Sequence, residues 1–115
     1  MRTARLFVYG TLRRGYENKF ARLLQKHSRF LGPGQVRARI HQFARYPGAV
    51  LSERTEETIR GELYQVGDAR VWGELDRYEG SEMFRRVITT VQLDSGHSLD
   101  AWIYVLIREP KPPVT

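Results

Sequence analysis

Two stretches of strict alternation constrain this chain more than anything else in it. Val87, Thr89, Val91 and Leu93 take every second position of residues 84–93, and Leu99, Ala101, Ile103, Val105 and Ile107 do the same over residues 99–107. Strand side chains point alternately to opposite faces, so each stretch has one apolar face to bury. Asp94-Ser95-Gly96-His97 lies between them and supplies turn residues, which makes the pair a β-hairpin.

The rest of the chain supplies partners for that hairpin. Residues 4–9 read as a short buried strand ended by Gly10. A helix fits residues 17–27, with Phe20, Leu23, Leu24 and His27 on one face. Gly32-Pro33-Gly34 is a turn signal, followed by a half-buried strand over 35–43 in which Val36, Ala38 and Ile40 alternate with Arg37, Arg39 and His41. Tyr46-Pro47-Gly48 reads as a second turn before the short apolar run Ala49-Val50-Leu51. Residues 59–66 form a strand with Ile59, Gly61 and Leu63 on one face and Tyr64 and Val66 on the other. A second helix fits residues 69–78 through Val71, Trp72, Leu75 and Tyr78, with Gly80 as its stop. The class is α+β, a mostly antiparallel sheet with two short helices. We expect one domain over 1–109 and a disordered Pro-rich tail over 110–115, since Pro110, Pro112 and Pro113 cannot join a central strand.

Composition narrows the function classes. With 115 residues, 41% hydrophobic and 28% charged, the chain is a globular domain rather than a disordered segment. No apolar run approaches the ~20 residues of a membrane helix, and the opening stretch is too short for a signal peptide. The expectation is a cytoplasmic protein with no membrane partner. Cysteine is absent, which excludes disulfides, thiolate metal sites and a cysteine nucleophile. Charge is uneven: residues 1–45 hold eleven cations against one acid, Glu17, whereas residues 46–115 hold eight against twelve. A basic half attracts nucleic acid or an acidic small molecule. No nucleic-acid motif accompanies the charge, and many of these Arg residues alternate with apolar ones along strands. Nucleic acid is therefore the weaker reading. The residues carry no signal for an oligomeric state.

The chemical candidates reduce to carboxylates and backbone amides. His27, His41 and His97 are far apart and lack metal-ligand spacing, so no metal is expected. There is no nucleophile elbow, phosphate loop or dinucleotide fingerprint. Tyr9-Gly10-Thr11-Leu12 ends the first strand, where glycine lets main chain approach a ligand and successive N–H groups can cradle an anion. An ordinary strand-ending turn is the alternative. Within Trp72-Gly73-Glu74-Leu75-Asp76-Arg77-Tyr78-Glu79-Gly80, Glu79 follows Leu75 at i, i+4 and so stands on the apolar side of the helix. A carboxylate in such surroundings is a better base near neutral pH. Glu74, Asp76 and Glu82 are the alternatives, read as solvated.

Val8-Tyr9-Gly10-Thr11-Leu12-Arg13-Arg14-Gly15 resembles the amino-terminal signature of the γ-glutamylcyclotransferase-like proteins. The resemblance continues in the same order through Tyr46–Val50, Ile59–Tyr64, Leu75–Gly80, Arg85-Arg86 and Ala101–Val105, covering residues 5–107. It implies a small mixed, mostly antiparallel β-barrel with short flanking helices. It implies Tyr9, Gly10, Thr11 and Leu12 as the substrate-binding loop and Glu79 as the catalytic acid/base. The implied substrate is a small γ-glutamyl amine or peptide, converted to 5-oxoproline without metal, nucleotide or other cofactor. Leu12, Tyr46 and Tyr104 would shape the pocket or pack in the core. Phe84 departs from the Tyr often found there, so any hydrogen bond from that hydroxyl is lost. Two rivals stand beside this expectation: a non-catalytic or regulatory relative that binds an amino-acid-like ligand, and an RNA-binding protein.

Overall fold

The computed structural model describes residues 4–9, 19–43, 46–51, 56–79 and 84–106. The hairpin forms where the alternation predicts it. β5 (Phe84–Leu93) and β6 (Ser98–Leu106) pair antiparallel, with Val87 opposite Ile103, Thr89 opposite Ala101 and Val91 opposite Leu99. The Leu93 N–H donates to the His97 carbonyl (2.8 Å), and the Gly96 N–H to the Leu93 carbonyl (3.0 Å). Gly96 takes a φ of 100°. A tight hairpin loop of this kind needs a residue in the left-handed region, which glycine enters without steric cost.

Four more strands complete the sheet: β1 (Arg5–Val8), β2 (Ser28–Phe43), β3 (Tyr46–Leu51) and β4 (Thr58–Val66). Hydrogen bonding runs in the order β1-β4-β2-β3-β6, and β6 returns to β1, so five strands close into a barrel; β5 lies against β6 and also meets β2. The barrel is mixed. β1 and β3 each pair parallel with β6, at Leu6–Trp102 and Ala49–Val105, while the remaining pairings are antiparallel.

Both faces of β4 are buried, as its residues suggest. Ile59 and Leu63 point into the barrel with Phe7, Val36, Val91 and Ile103, whereas Tyr64 and Val66 point outward beneath the helices. α1 (Lys19–His27) and α2 (Arg70–Glu79) cover that outer face. Leu24 of α1 and Val71 and Leu75 of α2 are wholly buried there against Leu6, Val8, Tyr64 and Tyr104. Burying a side chain such as Leu75 stabilises the fold by about 1.5–3 kcal/mol. α2 starts at an N-cap: Asp68 Oδ1 accepts the Arg70 N–H at 2.9 Å. No described helix is long and apolar enough to cross a membrane.

Two turn expectations are corrected. Gly32-Pro33-Gly34 lies inside β2, opposite Leu63, Glu62 and Gly61 of β4, with a register shift between Phe30 and Gly32. Gly32 has φ 144°, which lets the strand bulge instead of reversing. The Pro33 carbonyl accepts the Asp94 N–H at 3.1 Å. Because N–H and C=O of a strand residue share one side, the proline nitrogen faces away from β4, and the ladder loses no bond there. Tyr46-Pro47-Gly48 is likewise strand, opposite Phe43, Gln42 and His41. The reversal falls between Phe43 and Tyr46. The Gly80 stop, Ile107 and the tail 110–115 lie outside the described residues.

Since β1 and β6 run parallel and β5 antiparallel to them, the end of β1, the end of β6 and the start of β5 share one end of the barrel. The described parts of the candidate site lie there.

Candidate functional site

Tyr9 follows the last residue of β1 and packs, half-buried, against the barrel interior. Its hydroxyl donates to the Tyr104 carbonyl on β6 (2.6 Å) and accepts the Ala49 N–H on β3 (2.9 Å). A phenol has one proton to donate, and here β6 receives it. The Tyr9 side chain thus fastens the end of β1 to two neighbouring strands, so its expected contribution to binding falls to its main chain and ring. Gly10, Thr11 and Leu12 follow directly in the chain and lie outside the described residues, as do Arg13 and Arg14.

The far end of α2 is fixed at the same end of the barrel. Asp76 accepts two hydrogen bonds from Arg86 of β5, Nε to Oδ1 at 2.7 Å and Nη2 to Oδ2 at 3.0 Å. The Tyr104 hydroxyl donates to the same Oδ1 at 2.6 Å. The Arg86 guanidinium lies over two indoles, 4.6 Å from the Trp72 ring centre and 5.0 Å from that of Trp102. A planar cation between aromatic faces that also forks onto a carboxylate is a role lysine cannot reproduce. Trp72 and Asp76 are one turn apart on α2, so the Arg86 guanidinium and the Tyr104 hydroxyl together join helix and hairpin.

Glu79 is the last residue of α2. It takes the position one turn beyond Leu75 and two beyond Val71, both wholly buried; its side chain lies outside the described residues. Glu74, its neighbour on the helix, pairs with Arg77 at 2.6 Å on the exposed side, as a solvated acid should. Asp76 is as exposed as Glu74, but it also accepts bonds from Arg86 and Tyr104 and so ties the helix to the hairpin. Glu82 and the side chains of Tyr46 and Phe84 lie outside the described residues, whereas Tyr104 packs in the outer core. Sequence patterning does not single out Glu62, which sits opposite Val8 near the end of β1 and accepts the Tyr64 hydroxyl at 3.1 Å. Two patterns agree with the Asp76 network, Trp72 and Asp76 at i, i+4 and Arg86 on the face of its strand opposite Val87, but neither identifies the partners. Among the described residues no group of His, Asp and Glu is placed to hold a metal ion.

Compared with known families, residues 6–114 match the model described as "Gamma-glutamyl cyclotransferase, AIG2-like". The chain belongs to this family. A Methanocaldococcus jannaschii protein with a provisional gamma-glutamylcyclotransferase name is 33% identical over 100 residues, covering 86% of this chain and 81% of that one. A Drosophila melanogaster protein, named on the same provisional footing, is 31% identical over 114 residues, 93% of this chain and 72% of its own. Among solved structures, a mouse AIG2-like protein superposes with a TM-score of 0.72 at 26% identity, over 93% of this chain and 79% of that one. YkqA from Bacillus subtilis gives 0.74 at 27% identity over 92% of this chain, which spans only 36% of that longer protein. The barrel with two short helices is therefore the fold of the AIG2-like gamma-glutamyl cyclotransferases, as the ordered motif blocks imply.

Proposed function

We propose that this protein is a γ-glutamylcyclotransferase-type enzyme that releases 5-oxoproline from a small γ-glutamyl amine or peptide. The observation that carries this reading is the family match over residues 6–114, which takes in both the block around Tyr9-Gly10-Thr11-Leu12 and the block Leu75–Gly80 that contains Glu79. The position of Tyr9 and the end of α2 about one tyrosine, Tyr104, supports it, because the reaction needs a binding loop and an acid/base within reach of each other.

In this reading the main-chain N–H groups of residues 10–12 hold the substrate carboxylate and polarise the γ-carbonyl oxygen. The glutamyl chain folds back, so its own α-amine lies beside its own γ-carbonyl carbon; proximity supplies much of the rate. Glu79 takes a proton from the α-ammonium group, and the freed nitrogen bonds to the γ-carbonyl carbon. The bond from that carbon to the leaving nitrogen breaks as Glu79 returns the proton to it, and the second proton shed by the attacking nitrogen passes to the departing amine. The products are 5-oxoproline and the amine as its ammonium ion, with no net change in protons or electrons.

The test is a panel of γ-glutamyl amines and peptides incubated with the protein, with 5-oxoproline read by mass spectrometry. Release from at least one member, abolished in Glu79→Gln, supports the assignment. Saturable binding without release would make the protein a ligand-binding relative instead.

A further inference from the structure

Tyr104 bonds with different atoms to Tyr9, the first residue of the candidate loop, and to Asp76, on the helix that ends in Glu79. Its main-chain carbonyl accepts the Tyr9 hydroxyl where β1 ends; its side-chain hydroxyl donates to Asp76, three residues before Glu79. Asp76 is gripped a second time by Arg86, itself held over Trp72 and Trp102. The geometry points to Tyr104 as a positioning residue: through its two oxygens it fixes the spacing between the loop that receives the γ-glutamyl group and the helix end that carries Glu79. The assignment rests on the reaction proposed above.

Packing alone does not explain this residue. The Tyr104 side chain is 4% exposed among apolar neighbours, a place phenylalanine fills equally well. A buried hydroxyl is costly unless bonded, and this one is bonded to a carboxylate at 2.6 Å, the length of a charge-assisted bond. α2 has ten residues and is capped by Asp68 at its start. The Asp76 contacts fix its other end. Proton transfer between groups on separate elements tolerates little displacement, since ~1 Å of misplacement can cost roughly 10²-fold in rate.

The two oxygens can be separated experimentally. Tyr104→Phe removes the bond to Asp76 and keeps the carbonyl that holds Tyr9. With a γ-glutamyl amine that the parent turns over, kcat should fall about ten- to a hundredfold while KM stays within about twofold. Amide hydrogen exchange should quicken about tenfold at residues 76–79 and stay unchanged in β1 and β6. Asp76→Asn still accepts the Tyr104 hydrogen bond and should lose less than Asp76→Ala. Tyr104→Phe that quickens exchange evenly across all strands, or not at all, overturns the assignment, as does a raised KM with kcat intact. If the parent releases 5-oxoproline from no member of the panel, the reaction proposed above falls, and the exchange pattern alone decides the role of Tyr104.

Discussion

Gly34 and Gly61 face one another across β2 and β4, and neither has room for a methyl group. A Cβ on Gly61 would stand 2.6 Å from Phe7 Cζ, and one on Gly34 would stand 2.8 Å from the Gln92 carbonyl oxygen. The space these side chains leave is filled from β1 on one side and by the β5 main chain on the other. Gly61→Ala and Gly34→Ala should each destabilise the fold by about 1–3 kcal/mol, the usual cost of overpacking, read as a lower urea midpoint at unchanged m-value. Gly73, inside α2, has open space where a methyl group would stand, with nothing within 4 Å. Gly73→Ala should therefore stabilise the protein by about 0.5–1 kcal/mol in the same assay.

Glu79→Gln should keep the fold and lower turnover by roughly 10²–10⁴-fold, the range expected when a general acid/base is lost. Glu74→Gln is the matched control, because Glu74 meets only Arg77 among the pairs seen on the exposed side of the same helix. It should change turnover less than about twofold. Full activity in Glu79→Gln, on a substrate the parent cleaves, would reject the assignment.

Asp68 gives the fold a measurable acid sensitivity. Hydrogen bonds from the Arg70 side chain and then its N–H, with a smaller pull from His27, lower its carboxyl from the ordinary 3.8 to about 2. A depressed carboxyl contributes stability that is complete above its unfolded-state value and is lost as pH falls through its folded-state value. Asp68→Asn keeps an acceptor for the Arg70 N–H but has no charge to lose. The parent should therefore melt higher than Asp68→Asn at pH 6 and at pH 4, with the gap closing towards pH 2. A gap that persists unchanged at pH 2 would mean that the charge contributes nothing.

Arg13 and Arg14 follow the proposed binding loop, and no acid precedes Glu17 to offset them. As a prediction, the double change Arg13→Gln with Arg14→Gln lowers kcat/KM at low ionic strength and leaves kcat intact. Steering of an anionic substrate is long-ranged and screened over ~8 Å at physiological salt, so the deficit should shrink as salt rises. A collapse of kcat would instead put one of these guanidinium groups against the reacting atoms.

The hairpin, the two faces of β4 and the buried side of α2 are legible because their side chains report burial position by position. Val91 and Ile103 are inside, Tyr64 and Val66 are outside under the helices, and Val71 and Leu75 form a stripe. Gly32-Pro33-Gly34 is misleading because its composition is that of a turn, whereas its place is set by β4 and β5, which come much later in the chain. Local chemistry does not reveal that a proline nitrogen will face a side where no ladder bond is needed. Asp76 is hidden for a related reason. Its partners Arg86 and Tyr104 are 10 and 28 residues away, so its neighbours in sequence make it look like one more surface acid. The ordered motif blocks make the family legible, since each is short but their order spans the whole barrel.

The bond between Tyr9 and Tyr104 joins residues 95 positions apart. During synthesis the amino-terminal strand must wait for nearly the entire described chain before its parallel neighbour exists, and contacts of such range make folding slow. A stalled or clipped product therefore contains one wall of the candidate site without the other. On the proposed function, catalytic competence would arrive in a single step, with β6, and fragments of this protein should be inert rather than partly active.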